Sequence, residues 1–170
     1  MSNSQAPDST ALVMAERLGQ ALLAARQMLV TAESCTGGGI AWLITSIPGS
    51  SQWFERGIVA YSNAAKQELL GVSHDVIAAY GAVSEQTAAA MARGALVNSH
   101  AGISVAVTGI AGPDGGSEEK PVGTVCFGWS LREGETKTAR IVFSGDRLQV
   151  RERAVLMAME GLLEIIEKQS

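Results

Sequence analysis

Apolar residues follow two different periodicities along the chain, and together they predict a domain in which helices and strands alternate. Residues 9–25 carry apolar side chains at three- and four-residue steps, which indicates one amphipathic helix. Short apolar runs at 28–31, 57–61 and 103–108 are typical of buried strands. Polar or glycine-containing segments follow each of these runs. The pattern therefore favours strands separated by turns and helices.

Capping residues mark the starts of the later helices. Ser62 or Asn63, Ser73 and Ser84 each precede a helical segment, and the segment after Ser84 extends to about residue 98. A helix from near Asp146 to beyond residue 166 ends the chain. The apolar spacing predicts that its inner face is formed by Leu148, Val155, Met159, Leu162 and Ile166.

Two further apolar runs, at 124–130 and 137–143, flank a polar turn at 132–135 and predict a β-hairpin. We therefore expect an α/β fold with a mixed, mainly parallel sheet of about five strands, covered by helices on both faces. The length of 170 residues suits one domain. We expect a flexible tail over residues 1–10 and a single domain over 11–168.

Composition narrows the possible functions. The net charge of −4 excludes a globally basic surface of the kind that binds nucleic acid. Two cysteines and two histidines, with no C-x-x-C or H-x-x-x-H spacing, argue against a disulfide framework or a metal site. The start of the chain is polar, and no apolar run is long enough to span a membrane. We expect a cytoplasmic protein that binds no metal, nucleic acid or membrane.

Candidate chemistry begins where the first predicted strand ends, at Ser34. Residues 33–39 turn the chain from strand to helix, and such a turn lies at the edge of the sheet where α/β proteins bind ligands. Free N–H groups of a helix start could hold an oxyanion there. Ser34 is therefore either a nucleophile or an ordinary helix cap. Its neighbour Cys35 is either an activated thiol or a small buried side chain.

The second candidate group follows the strand at 57–61 and contains Tyr61, Asn63 and Lys66. A lysine partly buried beside a serine can lose its proton near neutral pH and act as a base. The chain has few histidines for that task, since His74 and His100 lie in ordinary helical or loop contexts. From the pattern alone, a solvated helix lysine remains the other interpretation.

The third candidate is an anion site formed by a glycine-rich loop at 109–116 and by Arg147. Successive backbone N–H groups in such a loop can bind an anion. Arg147, at a strand-to-helix junction, could donate two hydrogen bonds to a phosphate or carboxylate. A mobile connection and a solvated arginine are the alternatives.

A series of short segments together resembles the CinA C-terminal domain family. In chain order they are TAESCTGG at 31–38, GSSQWFERG at 49–57, YSNAAK at 61–66, GAVS at 81–84, TGIAGPDGG at 108–116, KPVGTV at 120–125 and GDR at 145–147. The resemblance extends over residues 12–166, with the segments in the expected order. It implies a three-layer α/β/α sandwich.

The resemblance also implies an activity. Stand-alone members of the family hydrolyse the carboxamide of nicotinamide mononucleotide (NMN) to give nicotinic acid mononucleotide and ammonia, without a metal or an organic cofactor. Carried over to this chain, Ser34 is the nucleophile, Lys66 is the base, and Tyr61 assists proton transfer or orients the pair. The expected substrate contacts are Thr36, Gly37, Gly38, Asn63, Thr108, Gly109, Gly112 and Arg147.

The alternative is a nucleotide-binding or protein-interaction module without turnover, linked to competence or to DNA damage. Such a module would need the glycine-rich loops but not a nucleophile and a base. The presence of Ser34, Tyr61 and Lys66 together therefore favours the enzyme. A homo-oligomer, either a dimer or a tetramer, is also expected for a small α/β domain with exposed apolar helices.

Overall fold

The computed structural model describes residues 8–169. Its elements in chain order are α1 (Ser9–Ala24), β1 (Leu29–Glu33), α2 (Gly39–Thr45), a 3₁₀ turn (Ser50–Gln52), β2 (Phe54–Val59), α3 (Asn63–Leu70), α4 (His74–Tyr80), α5 (Glu85–Val97), β3 (Ile103–Gly109), β4 (Thr124–Leu131), β5 (Thr136–Val142) and α6 (Arg147–Glu167). Residues 1–7 of the expected tail lie outside the described residues, and residues 9 and 10 already belong to α1.

The five strands form one mixed sheet in the order β2-β1-β3-β4-β5. β1 pairs in parallel with both β2 and β3, whereas β4 is antiparallel to β3 and to β5. Four strands therefore run in one direction, and the predicted mixed sheet is confirmed. The carboxyl ends of β1, β2 and β3 meet at one edge of the sheet. The Ser34 turn, the Lys66 helix and the glycine-rich loop all begin there.

Helices cover both faces of the sheet, so the α/β/α sandwich is confirmed. On one face, Leu18 of α1, Ile40 of α2 and Met159 of α6 belong to one apolar core. On the other face, Leu70 of α3 and Met91 of α5 belong to a second core. Central strands contribute to both cores because alternate side chains point to opposite faces.

The predicted caps position the helices that follow the strands. Ser62, Ser73, Ser84 and Asp146 each accept a hydrogen bond from a backbone N–H of the first turn. Each cap satisfies a donor that the helix cannot pair internally. None of the helices in the described part of the chain is long and apolar enough to cross a membrane.

Two details differ from the pattern-based expectation. β2 begins at Phe54, three residues before the apolar run, because an edge strand tolerates polar side chains such as those of Glu55 and Arg56. The predicted placement of Leu148 on the inner face of α6 is wrong, since this side chain is 46% exposed. It lies on the first turn of the helix, where it borders an open cavity beside Trp42 instead of the core.

Candidate active site

A cavity of about 210 Å³ lies at the edge where β1, β2 and β3 end. It brings together seven of the residues that the sequence proposed for catalysis or binding. These are Ser34, Tyr61, Asn63, Lys66, Thr108, Gly109 and Arg147. The remaining wall is formed by Cys35, Ala82, Val83 and Ala111. Residues that are far apart in the chain thus share one small site.

Ser34 and Lys66 are in direct contact in this cavity. Lys66 Nζ donates a hydrogen bond to Ser34 Oγ at 3.0 Å. It also donates to the backbone carbonyls of Ala60 at 3.3 Å and Tyr61 at 3.1 Å. Ser34 follows β1, and Lys66 lies on the first turn of α3 after β2, so the parallel pairing of β1 and β2 brings the two side chains together. The geometry matches that of a nucleophile and its base.

The Lys66 side chain is buried without a counter-charge. Its exposed fraction is 2%, and all three of its hydrogen-bond partners are uncharged oxygens. None of the ion pairs among residues 8–169 includes it. Burial lowers the pKa of the Lys66 amine because the charged form loses hydration. The neutral amine, which is the form that can accept a proton, is therefore favoured.

Cys35 also lines the cavity, but its thiol is poorly suited to act as a nucleophile. Burial raises the pKa of the Cys35 thiol to about 12. The thiolate is the reactive form of cysteine, and at neutral pH almost none of it is present at such a pKa. The geometry therefore favours Ser34 over Cys35.

Tyr61 contacts the Ser–Lys pair through its backbone. Its carbonyl accepts hydrogen bonds from Lys66 Nζ and, at 3.4 Å, from Ser34 Oγ. Its phenol is directed elsewhere, since Tyr61 Oη accepts a hydrogen bond of 3.1 Å from Arg147 Nη2. The contact that orients the pair is thus the main chain of Tyr61.

Arg147 links the last helix to the cavity. Its Nη1 donates to the carbonyl of Gly112 at 2.8 Å, while its Nη2 binds the Tyr61 phenol. Gly112 itself does not line the cavity and contributes by holding Arg147. Thr108 is fixed by a hydrogen bond of 2.8 Å to the carbonyl of Ala82, which joins β3 to the segment before α5. The Asn63 side chain also borders the open space of the cavity.

Thr36, Gly37 and Gly38, which the sequence proposed as substrate contacts, are not among the residues that line this cavity. The N–H of Gly37 is already bound to the carbonyl of Ser34 at 3.0 Å. By contrast, the N–H groups of Cys35 and Thr36 donate to no backbone carbonyl among residues 8–169. The N–H of Cys35 is instead hydrogen-bonded to the thiol of the same residue.

Glu33, directly before the nucleophile candidate, is a buried charged residue that the sequence analysis did not single out. Its carboxylate is fully buried and accepts hydrogen bonds from the backbone N–H groups of Ile40 at 2.9 Å and Ala41 at 3.1 Å. The first N–H groups of α2 are therefore occupied and cannot hold an oxyanion, as the sequence had suggested. The available signal was Gly38 at the helix cap, because a glycine has no side chain to bind those donors.

The residues around the cavity do not form a group of metal ligands. In the part of the chain that the structure describes, no three His, Cys, Asp or Glu side chains lie close enough together to hold a metal ion. The polar groups available to a ligand are the Ser34 hydroxyl, the Lys66 amine, the Asn63 amide and the Arg147 guanidinium.

The chain is similar to known proteins over most of its length. Residues 11–166 match the CinA C-terminal domain. A protein of Escherichia coli K12 named nicotinamide-nucleotide amidohydrolase PncC is 52% identical over 155 residues, which are 91% of this chain and 94% of that protein. The protein with the same name from Pseudomonas putida is 50% identical over 89% of this chain and 94% of its own length.

The fold is shared with solved structures. The crystal structure of the competence/damage inducible protein CihA from Agrobacterium tumefaciens superposes with a TM-score of 0.91 at 43% identity, covering 93% of this chain and 96% of that one. A CinA superfamily protein from Klebsiella pneumoniae gives a TM-score of 0.89 at 37% identity, covering 93% and 98% of the two chains. Because the match to the CinA C-terminal domain extends over residues 11–166, nearly the whole length, this chain belongs to the CinA C-terminal domain family.

Proposed function

We propose that this protein is a nicotinamide mononucleotide amidohydrolase, which converts NMN and water to nicotinic acid mononucleotide and ammonia. The relatives named nicotinamide-nucleotide amidohydrolase match it over nearly their full length. The observation that carries the proposal is the hydrogen bond of 3.0 Å between Lys66 Nζ and Ser34 Oγ, made by a lysine that is buried without a counter-charge.

The first half-reaction forms an acyl-enzyme. Neutral Lys66 takes the proton of the Ser34 hydroxyl, and Oγ attacks the carboxamide carbon of the substrate. A tetrahedral intermediate with a negatively charged oxygen results. Lys66 then gives its proton to the amide nitrogen, the C–N bond breaks, and ammonia leaves. Ser34 now carries the nicotinoyl group as an ester.

The second half-reaction restores the enzyme. Lys66, neutral again, takes a proton from a water molecule that attacks the ester carbonyl. The intermediate collapses with cleavage of the bond to Oγ, and Lys66 returns the proton to Ser34. The product carries a carboxylate where the substrate had a neutral carboxamide. One water is consumed and one ammonia is released. The proton that the new carboxylic acid gives up is taken up by the ammonia, so the reaction balances as a carboxylate and an ammonium ion.

The negative charge that develops in both intermediates requires hydrogen-bond donors. We assign this role to the N–H groups of Cys35 and Thr36, which follow the nucleophile directly and donate to no backbone carbonyl among residues 8–169. A preorganised donor of this kind contributes about 3–4 kcal/mol to the stability of the transition state. The part of Thr36 that takes part is its backbone, since its side chain is bound to Glu33.

The 5′-phosphate and the ribose are assigned to the opposite wall. Arg147 lines the cavity, and its guanidinium is positioned by Gly112 and Tyr61. We propose that it binds the phosphate, with the loop at 109–116 close by, and that the Asn63 amide contacts the ribose. A local cation matters here because the protein as a whole is acidic and would otherwise repel an anionic nucleotide.

The first test is ammonia release from NMN by the purified protein in the presence of a chelator. We expect release by the wild type and none by Ser34→Ala. The same experiment examines the alternative function. If the folded wild type binds NMN but releases no ammonia, the protein is a binding module and not an enzyme.

We further propose that the enzyme acts in the cytoplasm as a homodimer or homotetramer and binds no nucleic acid. Trp42 and Val13 are exposed apolar side chains that a second copy could cover. The net charge of −4 argues against a nucleic acid partner. Sedimentation analysis measures the oligomeric state directly.

A further inference from the structure

The Glu33 carboxylate takes no part in the proposed reaction, yet it lies immediately before the nucleophile. It is completely buried. One oxygen, Oε1, accepts from Thr36 Oγ1 at 2.7 Å and from the Ile40 N–H at 2.9 Å. The other, Oε2, accepts from the Ala41 N–H at 3.1 Å and from Thr31 Oγ1 at 3.5 Å. Each oxygen therefore has two donors.

These donors come from both ends of the turn that carries Ser34. Glu33 and Thr31 belong to β1, Thr36 lies within the turn, and Ile40 and Ala41 lie in the first turn of α2. The carboxylate thus connects the end of the strand to the start of the helix. A helix start usually obtains such an acceptor from its own cap residue. Here the cap residue has no side chain, so Glu33 supplies the acceptor from outside the helix.

A buried carboxylate with all of its donors in place has little freedom to move. Any rearrangement would leave a charged oxygen or a backbone N–H without a partner in a dry environment, which is costly. The turn is therefore held at its two ends. Ser34 Oγ and the N–H groups of Cys35 and Thr36 lie between those ends.

We propose that Glu33 is a positioning residue for the hydrolysis: it fixes the turn so that Ser34 Oγ stays on Lys66 and the N–H groups of Cys35 and Thr36 stay aligned for the oxyanion. The inference rests on the proposed function. Because the guanidinium of Arg147 is held by Gly112 and Tyr61, outside this turn, we expect Glu33 to act mainly on the reacting atoms and less on the affinity for the nucleotide.

The decisive variant is Glu33→Gln, which keeps the size of the side chain but replaces one acceptor oxygen by an NH₂ group. That NH₂ group must face at least one of the backbone N–H donors of α2. We expect kcat for NMN to fall about 10²-fold, the size of effect seen when one oxyanion donor is lost. We expect the KM for NMN and the affinity for nicotinic acid mononucleotide to change by less than about threefold.

Ser104→Ala is a matched control. Ser104 is a buried polar residue on β3 whose hydroxyl donates to the carbonyl of Ala92 at 2.7 Å, on the side of the sheet that faces α5. Its loss removes a buried hydrogen bond without touching the turn. Circular dichroism and thermal unfolding of both variants measure the loss of stability. If loss of stability alone explained the result, the two variants would lose kcat in proportion to their loss of stability.

A second variant tests the role of Glu33 if Glu33→Gln does not fold. Thr36→Val keeps the shape of the side chain and the backbone N–H, but removes the donor to Glu33 Oε1. We expect a smaller fall in kcat, of about three- to tenfold, again with little change in KM.

Two results would overturn the inference. One is an unchanged kcat in folded Glu33→Gln or, if Glu33→Gln does not fold, an unchanged kcat in Thr36→Val. The other is a fall in kcat that Ser104→Ala reproduces at equal stability. Failure of the proposed function itself looks different, because the wild type would then release no ammonia from NMN. If the wild type is active and these variants keep its kcat, only the role of Glu33 is rejected.

Discussion

Glu33 precedes Ser34 in the chain, and Lys66 contacts its hydroxyl. Both side chains are buried, but the protein gives them opposite kinds of surroundings. These two are the fully buried charged residues among residues 8–169. The carboxylate of Glu33 accepts hydrogen bonds from two backbone N–H groups and two hydroxyls. The amine of Lys66 meets two carbonyls and the Ser34 hydroxyl, and no carboxylate is among its hydrogen-bond partners. One group has all the donors it can use, whereas the other lacks a counter-charge.

This difference separates a structural charge from a reactive one. A buried charge surrounded by hydrogen-bond donors is held in place, and it keeps its neighbours in place as well. A buried amine without a counter-ion is less costly to hold in its neutral form, so burial lowers its pKa. Buried groups with such a shifted pKa are typical of active sites. The contrast predicts that changes near Lys66 act on the chemistry and its pH dependence.

The largest expected effect comes from removing Ser34 Oγ, the atom whose proton Lys66 is proposed to take. Ser34→Ala leaves the buried amine in place but deletes the nucleophile, and we expect kcat to fall by at least about 10⁴-fold. Ammonia release from NMN measures the change. Ser130→Ala, which alters a buried serine on β4, is the matched control and should keep its activity. If Ser34→Ala retained a tenth of the wild-type rate, Ser34 would not be the nucleophile.

The second effect is a pH dependence of the rate. Only neutral Lys66 accepts the proton of Ser34, so kcat should rise with pH through the lowered pKa of Lys66. Below that pKa, kcat should fall about tenfold for each pH unit. The measurement is kcat for NMN between about pH 5 and pH 9, within the range where the protein remains folded. A flat profile down to about pH 5 contradicts the assignment of Lys66 as the base.

The third effect concerns Arg147, which is proposed to bind the substrate and not to take part in the chemistry. If it binds the phosphate, Arg147→Ala should raise the KM for NMN by about 10- to 100-fold. The KM for the riboside, which lacks the phosphate, should change little in the same variant. Arg153→Ala alters an arginine of the same helix that binds Ser144 and is the control. An equal loss for the nucleotide and the riboside would show that Arg147 does not recognise the phosphate.

Much of this site follows from the sequence, and the part that does not has a physical reason. Ligands of α/β proteins bind where strands end, so the strand–turn–helix pattern placed Ser34 at that edge of the sheet, and the resemblance to the family paired it with Lys66. The network around Glu33 depends on the shape of a turn, which apolar periodicity does not describe. The direction of the Tyr61 phenol is a choice of rotamer, decided by Arg147 from the other end of the chain.

The exposure of Leu148 has a similar explanation. Periodicity placed this residue correctly on the stripe of α6 that carries Val155. It could not show that the first turn borders an open cavity, because burial depends on whether another element covers the position. The pattern of a single helix gives the direction of a side chain, and only the packed fold decides its exposure.

A smaller effect concerns stability. Lys66→Met keeps a long side chain and removes the buried amine, so it should abolish activity while stabilising the fold by about 1 kcal/mol, or about 2–4 °C in Tm. Lys137→Met, at an exposed lysine of β5, is the control and should change little. A Lys66→Met protein less stable than the wild type at every pH would contradict this view.

The sign of the pH dependence of this stability difference follows from linkage. The pKa of Lys66 is lower in the folded protein than in the unfolded chain. At a pH between the folded and the unfolded pKa of Lys66, the unfolded chain binds more protons than the folded protein. The free energy of unfolding of the wild type therefore rises with pH in this range. The advantage of Lys66→Met should be largest below the folded pKa and should fade toward the ordinary pKa of lysine. Thermal unfolding across this range tests the trend.

The smallest expected effect is that of Cys35→Ser, at the residue next to the nucleophile. Burial is the largest influence on the pKa of this thiol and raises it, and it outweighs the backbone N–H of Cys35 and the Arg151 guanidinium, which lower it. The thiol therefore stays protonated, and we expect kcat/KM to change by less than about threefold. Cys126→Ser is the control. A loss comparable to that of Ser34→Ala would make Cys35 the nucleophile. A near-wild-type rate would leave Ser34, whose hydroxyl is in contact with the base, as the reactive group of the turn.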